Sequence, residues 1–192
     1  MEILEIKDLE TLAKKRVPKM FFDYVNSGSW TETTYNENVS DFQKIKLRQR
    51  VAIDMSNRTL ETKMINQPVS MPVAIAPTGL TGMQRADGEI LAAQAAEEFG
   101  IPYTLSTMSV CSIEAVAEKT KKPFWFQLYV MKDKKFMERL IDRAKEAKCS
   151  ALVLTLDLQL LGQRHKDLRN GLSTPPKLIP KHIYQVLTRP MW

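Results

Sequence analysis

Four short runs rich in β-branched and aromatic residues constrain this chain more than any other feature, because three of them are followed at once by a helical pattern. VAIAP (73–77) precedes ADGEILAAQAAEEFG (86–100), with Asp87 as the expected N-cap and Gly100 just past the helix end. YTLS (103–106) precedes SIEAVAEK (112–119), where Ser112 and the acids after it read as a capped start. FWFQLY (124–129) precedes DKKFMERLIDRAKEAK (133–148), with Phe136, Leu140, Ile141 and Ala144 on one stripe. ALVLTLD (151–157) closes the series. Each strand–helix unit is roughly as long as a parallel crossover requires, so the expected class is α/β with a parallel sheet. Such a sheet is either open and doubly wound or part of a barrel. No GxGxxG follows any of the strands, which argues against a dinucleotide-binding unit.

Strand parity sorts the polar residues. Residues two apart face the same way, so Trp125, Gln127 and Tyr129 share one face against Phe124, Phe126 and Leu128. Likewise Val153, Thr155 and Asp157 oppose Leu152, Leu154 and Leu156, and Thr104, Ser106 and Met108 oppose Tyr103 and Leu105. A parallel sheet covered by helices on both sides reads apolar throughout. Polar residues at the C-terminal ends of several strands instead suit a barrel mouth, where sites are built from strand ends and the loops after them.

Composition narrows the setting. With 44% hydrophobic and 26% charged residues over 192 positions, the chain is globular rather than disordered, collagen-like or disulfide-stapled. Cys111 and Cys149 form no CxxC pair, so neither zinc nor a disulfide framework is expected. The opening MEILEIKDLE lacks the basic and apolar regions of a signal peptide, and no apolar run reaches the ~18 residues of a membrane span, so a cytoplasmic protein is expected. Of the net charge of +6, +5 falls in residues 163–192, where Arg164, Lys166, Arg169, Lys177, Lys181 and Arg189 face Asp167 alone. Interspersed Leu178, Ile179, Ile183, Tyr184, Val186, Leu187, Met191 and Trp192 give this segment two readings, a solvated loop or a contact with an anionic membrane surface. No nucleic-acid-binding motif accompanies it.

The segments FFDYVNSGS (21–29), MPVAIAPTGLTGM (71–83), the GE at 88–89, TLST (104–107), FWFQLYV (124–130) and LTLDLQLLGQRHKDLRNGL (154–172) occur in this order. They resemble the FMN-dependent α-hydroxy acid oxidases and dehydrogenases, the glycolate oxidase and L-lactate dehydrogenase (cytochrome) group. The wording of STMSVCSIEAVA (106–117) and of PFWFQLY (123–129) is most similar to its bacterial lactate dehydrogenase branch.

The resemblance implies a (βα)8 TIM barrel, here a half barrel of four parallel strands. It also implies three regions: an N-terminal helical lead-in (1–70), the first four strands (71–162) and a basic loop after strand four (163–192). It implies that Pro77, Thr78 and Gly79 lie against the flavin and that Ser106, Gln127 and Thr155 hydrogen-bond it. Tyr24 and Tyr129 resemble substrate-pocket tyrosines, Arg164 an arginine that helps hold the substrate carboxylate, and Asp157 the carboxylate that pairs with the catalytic histidine. An anionic partner raises the basicity of an imidazole and orients it for proton removal. Gly79 stands where oxidases of the group carry Ala, which points to a quinone or cytochrome acceptor rather than oxygen, and Met108 stands where some carry a bulky aromatic. The basic segment corresponds to the region through which membrane-coupled members touch the inner face of the cytoplasmic membrane, and the group suggests a homotetramer.

Members of the group are about twice this size, since the barrel needs about 250 residues. Neither His165 nor His182 matches the catalytic histidine, which belongs to the second half together with the phosphate site. The chain is therefore expected to be an N-terminal fragment or truncated product, colourless and inactive alone. Two other readings stay open: a non-catalytic half-barrel interaction module, and another FMN-binding barrel enzyme such as an isomerase.

Overall fold

The computed structural model describes residues 2–173, 177 and 179–192; Leu178 of the basic segment lies outside the described residues. Two compact units result, one from Asp54–Gln159 and the other from Met1–Ile53 with Leu160–Trp192.

The first unit holds the parallel sheet. Strands β3 (Thr104–Ser106), β4 (Trp125–Tyr129) and β5 (Ala151–Thr155) lie in that order, and Gln127 is opposite Ser106 on one side and Val153 on the other. The crossovers carry α5 (Ile113–Lys119) and α6 (Lys134–Glu146). The run at 73–77 shrinks to a single parallel bridge, Ile75 to Tyr103, closed by Ile75 N–H donating to Pro102 O at 2.8 Å and Thr104 N–H to Ile75 O at 3.1 Å. Pro72 and Pro77 flank it without N–H groups to extend the ladder. Among the described residues no closed barrel is formed.

The outward face of the sheet makes the core. Leu105, Phe126 and Leu128 pack with Ile113 and Val116 of α5 and Leu140 and Ala144 of α6, and Ala93 and Ala96 bring α4 (Gly88–Phe99) onto the same cluster. On β5 the corresponding face is bare: Leu152 and Leu154 are 48% and 49% exposed, and Leu156, one residue past the strand, is 67% exposed. The oily face expected under a helix is uncovered there among the described residues.

Local signals set most helix ends. Ser112 Oγ accepts from Ala115 N–H at 3.1 Å and Asp133 Oδ1 from Phe136 N–H at 3.0 Å, each a side-chain N-cap. Gly100, at φ +78°, ends α4 in the left-handed conformation that glycine adopts without strain. Asp87 holds the N-cap position of α4 but makes no side-chain capping hydrogen bond; at φ +56° its contribution is a carbonyl that accepts from Leu91 N–H at 2.9 Å. The antiparallel hairpin β1 (Thr62–Met64) and β2 (Gln67–Val69) is absent from the sequence reading. Its two-residue turn, Ile65–Asn66, has φ of +46° and +62°, a type I′ turn without the usual glycine.

The second unit contains α1 (Ile6–Arg16), α2 (Lys19–Val25), α3 (Thr33–Ser40), α7 (His165–Asn170) and α8 (Pro180–Leu187). The first two lie within the segment expected as a helical lead-in over 1–70. Val17, Met20, Phe21 and Phe22 are buried, and the Trp192 ring stacks on Phe21 at 5.4 Å. Segment 163–192 is tied down by polar contacts. Gln185 Oε1 accepts from Met20 N–H at 2.8 Å, and Asp23 pairs with Lys19 and accepts from Asn170 Nδ2 at 2.7 Å. The fully buried His182 ring sits between the carbonyl oxygens of Lys177 and Asn170, at 2.8 and 2.7 Å. Among the described residues, no helix is long and apolar enough to cross a membrane.

Helices α5 and α6 are joined by a bidentate pair, Arg143 Nε and Nη2 to the Glu114 carboxylate at 2.6 and 2.7 Å. The guanidinium holds Glu114 at about 2, below its ordinary 4.5. A lowered folded pKa means that the pair stabilises the fold above the unfolded value and that this contribution is lost as the pH falls toward 2. An NMR titration of Glu114 should show that low midpoint, and Arg143→Met should return it toward 4.5.

Candidate functional site

Parallel pairing places Ser106, Gln127 and Thr155 near the C-terminal ends of three adjacent strands, with their side chains joined into one network. Gln127 is 1% exposed and is its centre. Gln127 Oε1 accepts from Thr107 N–H at 3.1 Å and from Ser106 Oγ at 3.3 Å, and Gln127 Nε2 donates to Thr155 Oγ1 at 2.7 Å. Because a backbone N–H can only donate, Thr107 fixes which end of the amide is oxygen. The direction of the whole chain follows. Ser106 Oγ accepts from Met108 N–H at 3.1 Å and spends its proton on Gln127; Thr155 accepts from Gln127 and keeps its own proton to give away. Thr107 Oγ1 closes the network on Gln127 O at 2.5 Å.

Around this network the other expected residues of the unit take their places. Tyr129 is half-buried and is the register partner of Thr155. Pro77 and Thr78 are exposed and Gly79 is half-buried; the next residue, Leu80, donates its N–H to Met108 O at 2.8 Å, tying this segment to the end of β3. Met108 is 37% exposed. Asp157 lies two residues past the last paired residue of β5, exposed, with no hydrogen bond or ion pair among the described residues. The expected strand over 151–157 thus ends at Thr155, and pairing does not set the direction of the Asp157 side chain.

In the other unit Tyr24 and Arg164 meet directly. Arg164 Cζ stands 4.7 Å from the centre of the Tyr24 ring, a cation–π contact, and its Nη2 donates to Tyr24 O and, at 2.9 Å, to Ser27 Oγ. Arg164 Nε lies 3.0 Å from Asp167 Oδ2. Burial raises the Asp167 carboxyl, Arg164 pulls it back and Asp23 pushes it up again, leaving it above the ordinary carboxylate value. Both cysteines are poor nucleophiles: burial lifts Cys149 to about 11, and burial with the neighbouring Glu89 raises Cys111.

Sequence reasoning missed Thr107 and Glu89 as parts of this region. Thr107 falls on the opposite parity from Ser106, so alternation hides it; the signal available was its place in TLST, just past the strand end. Replacing Gln127 by Leu strands Thr107 N–H and removes the tie to β5. A loss of about 1–3 kcal/mol is expected, read from the urea midpoint.

The donor set is neutral and one-directional. The Thr155 hydroxyl and the second Gln127 N–H are donors left over, suited to carbonyl oxygens of a flat heterocycle, and Thr155 is the half-buried member. Residues 13–192 match the family model for FMN-dependent dehydrogenase. The chain is 46% identical over its full length to the L-lactate dehydrogenase of Acinetobacter baylyi and 47% identical over 185 residues to that of Acinetobacter baumannii, covering 50% and 48% of them. It thus spans about half the length of the curated relatives it matches. Among solved structures it resembles the monotopic membrane protein (S)-mandelate dehydrogenase, with a TM-score of 0.93 and 33% identity over 100% of this chain and 51% of that one. By sequence and by fold, the chain belongs to the FMN-dependent dehydrogenase family.

Proposed function

We propose that this chain is the N-terminal half of a (βα)8 barrel that oxidises an L-2-hydroxy acid, L-lactate to pyruvate first among them, and passes the electrons to a quinone or cytochrome. The observation that carries the reading is the directed network from Thr107 through Gln127 to Thr155 at the ends of parallel strands. Gln127 and Thr155 would present donors to the flavin ring, Ser106 would hold Gln127 in place, and Pro77–Gly79 would lie against the ring with their backbone. Bound FMN would accept the two electrons released when the hydroxy acid becomes a keto acid. Neither His165 nor His182 matches the family's catalytic histidine, so in this reading the base would come from the other half of the barrel. Asp157 would steady that histidine as it takes the proton, and Tyr24, Tyr129 and Arg164 would bind the substrate. Gly79, lacking a methyl, favours an acceptor other than oxygen.

The regions follow the same proposal: lead-in 1–70, strands 71–162 and basic segment 163–192, in a cytoplasmic homotetramer peripheral to the inner membrane face. Exposed Ile183, Tyr184 and Leu187 on α8, near Lys181 and Arg189, support the membrane contact. A second reading, a non-catalytic half barrel that binds a partner, draws on the bare Leu152, Leu154 and Leu156 face.

Co-expression with the C-terminal half of the Acinetobacter baylyi relative tests these readings. The first expects a yellow complex that reduces a dye with L-lactate, and Asp157→Asn should lower kcat by about 10²–10⁴-fold. Assembly without flavin would favour the second reading. In the same complex, Ile183→Glu with Leu187→Glu should weaken co-sedimentation with phosphatidylglycerol vesicles severalfold; unchanged binding would remove α8 from the membrane contact.

A further inference from the structure

We infer that Glu89 is a positioning residue that locks the loop after the Ile75 bridge to the loop after β3, fixing the mouth of the site. Glu89 is fully buried at the start of α4, and among the described residues it makes no hydrogen bond to the network residues. Its Oε1 accepts from Gly82 N–H at 3.0 Å and from Val110 N–H at 2.9 Å, so one oxygen bridges the two loops. A parallel tie, Leu80 N–H to Met108 O, runs between the same loops at 2.8 Å. The fit at the bridge is close: a Cβ on Gly82 would stand 2.6 Å from Val110 Cβ and 3.1 Å from Glu89 Oε2. Burial pushes the Glu89 carboxyl up, but the Val110 and Gly82 N–H groups, with its own N–H and the Cys111 thiol, together outweigh it, and the group sits below its ordinary value. An ionised carboxylate accepting two backbone donors is a stronger clamp than a neutral acceptor.

The consequence is geometric. Gly79 and Met108 lie on the two joined segments, and a buried clamp behind them sets the gap between them without occupying it. The bearing of that gap on flavin rests on the FMN reading above; the clamp itself does not.

Amide hydrogen exchange on the 192-residue chain decides it. Glu89→Ala should speed exchange at Gly82 and Val110 at least tenfold while Leu105 and Phe126 in the sheet stay slow. Glu89→Gln, which keeps an accepting oxygen, should retain most of the protection. Gly82→Ala should speed exchange at Val110 by prying the loops apart with the carboxylate intact. Unchanged exchange at Gly82 and Val110 in Glu89→Ala, or equal loosening of the sheet amides there and in Gly82→Ala, would overturn the inference. Quenching of FMN fluorescence in the co-expressed complex keeps the two readings apart: no uptake by the parent complex sinks the flavin assignment and leaves a measured clamp standing. Equal uptake by parent and Glu89→Ala overturns its part in the site.

Discussion

Everything at the candidate site depends on one amide held between two parallel strand pairings. Gln127 has an acceptor and a donor on the same planar group, and its neighbours use both: the end of β3 supplies donors and β5 supplies a hydroxyl. An apolar residue of the same size would fill the space and leave Thr107 N–H unpaired in a buried setting. A carboxylate would meet the donors on the β3 side but offer Thr155 no proton. The amide alone serves both sides, and it thereby gives the network a direction that ends in a free hydroxyl proton on Thr155.

The other unit solves a different problem, the packing of a strongly basic segment. Several of its positive charges are absorbed locally. Lys166 lies 3.2 Å from Glu32 Oε1 and donates to Asn26 O, Lys181 donates to Arg169 O, and Arg164 is spread over the Tyr24 ring with Asp167 beside it. Asp23, buried and paired to Lys19, anchors Asn170, whose carbonyl in turn faces His182. On α8, Ile183, Tyr184 and Leu187 are left in solvent while His182 and Gln185 are hydrogen-bonded.

Much of the fold is legible from local chemistry, and the failures share a cause. Ser112, Asp133 and Gly100 act within a few residues of themselves, so their capping roles are readable in order along the chain. Asp87 has the right residue type but the wrong backbone conformation, which neighbouring atoms decide. The hairpin turn at Ile65–Asn66 lacks glycine, so turn chemistry gives no warning of it. The run at 73–77 has strand composition but only one pairing partner, and a strand exists only as far as its ladder does.

The sequence by itself determined the alternation of strands and helices, the polar face of each strand and the order of the family's motifs, because these depend on periodicity and residue type. Tertiary structure alone decided that Gln127 rather than Ser106 is the hub, that Thr107 orients it and that Glu89 joins two loops from behind. It also decided that the leucines of β5 stand in the open. Those facts depend on which groups meet across long stretches of chain, and hydrogen-bond direction is settled only when donor and acceptor are face to face.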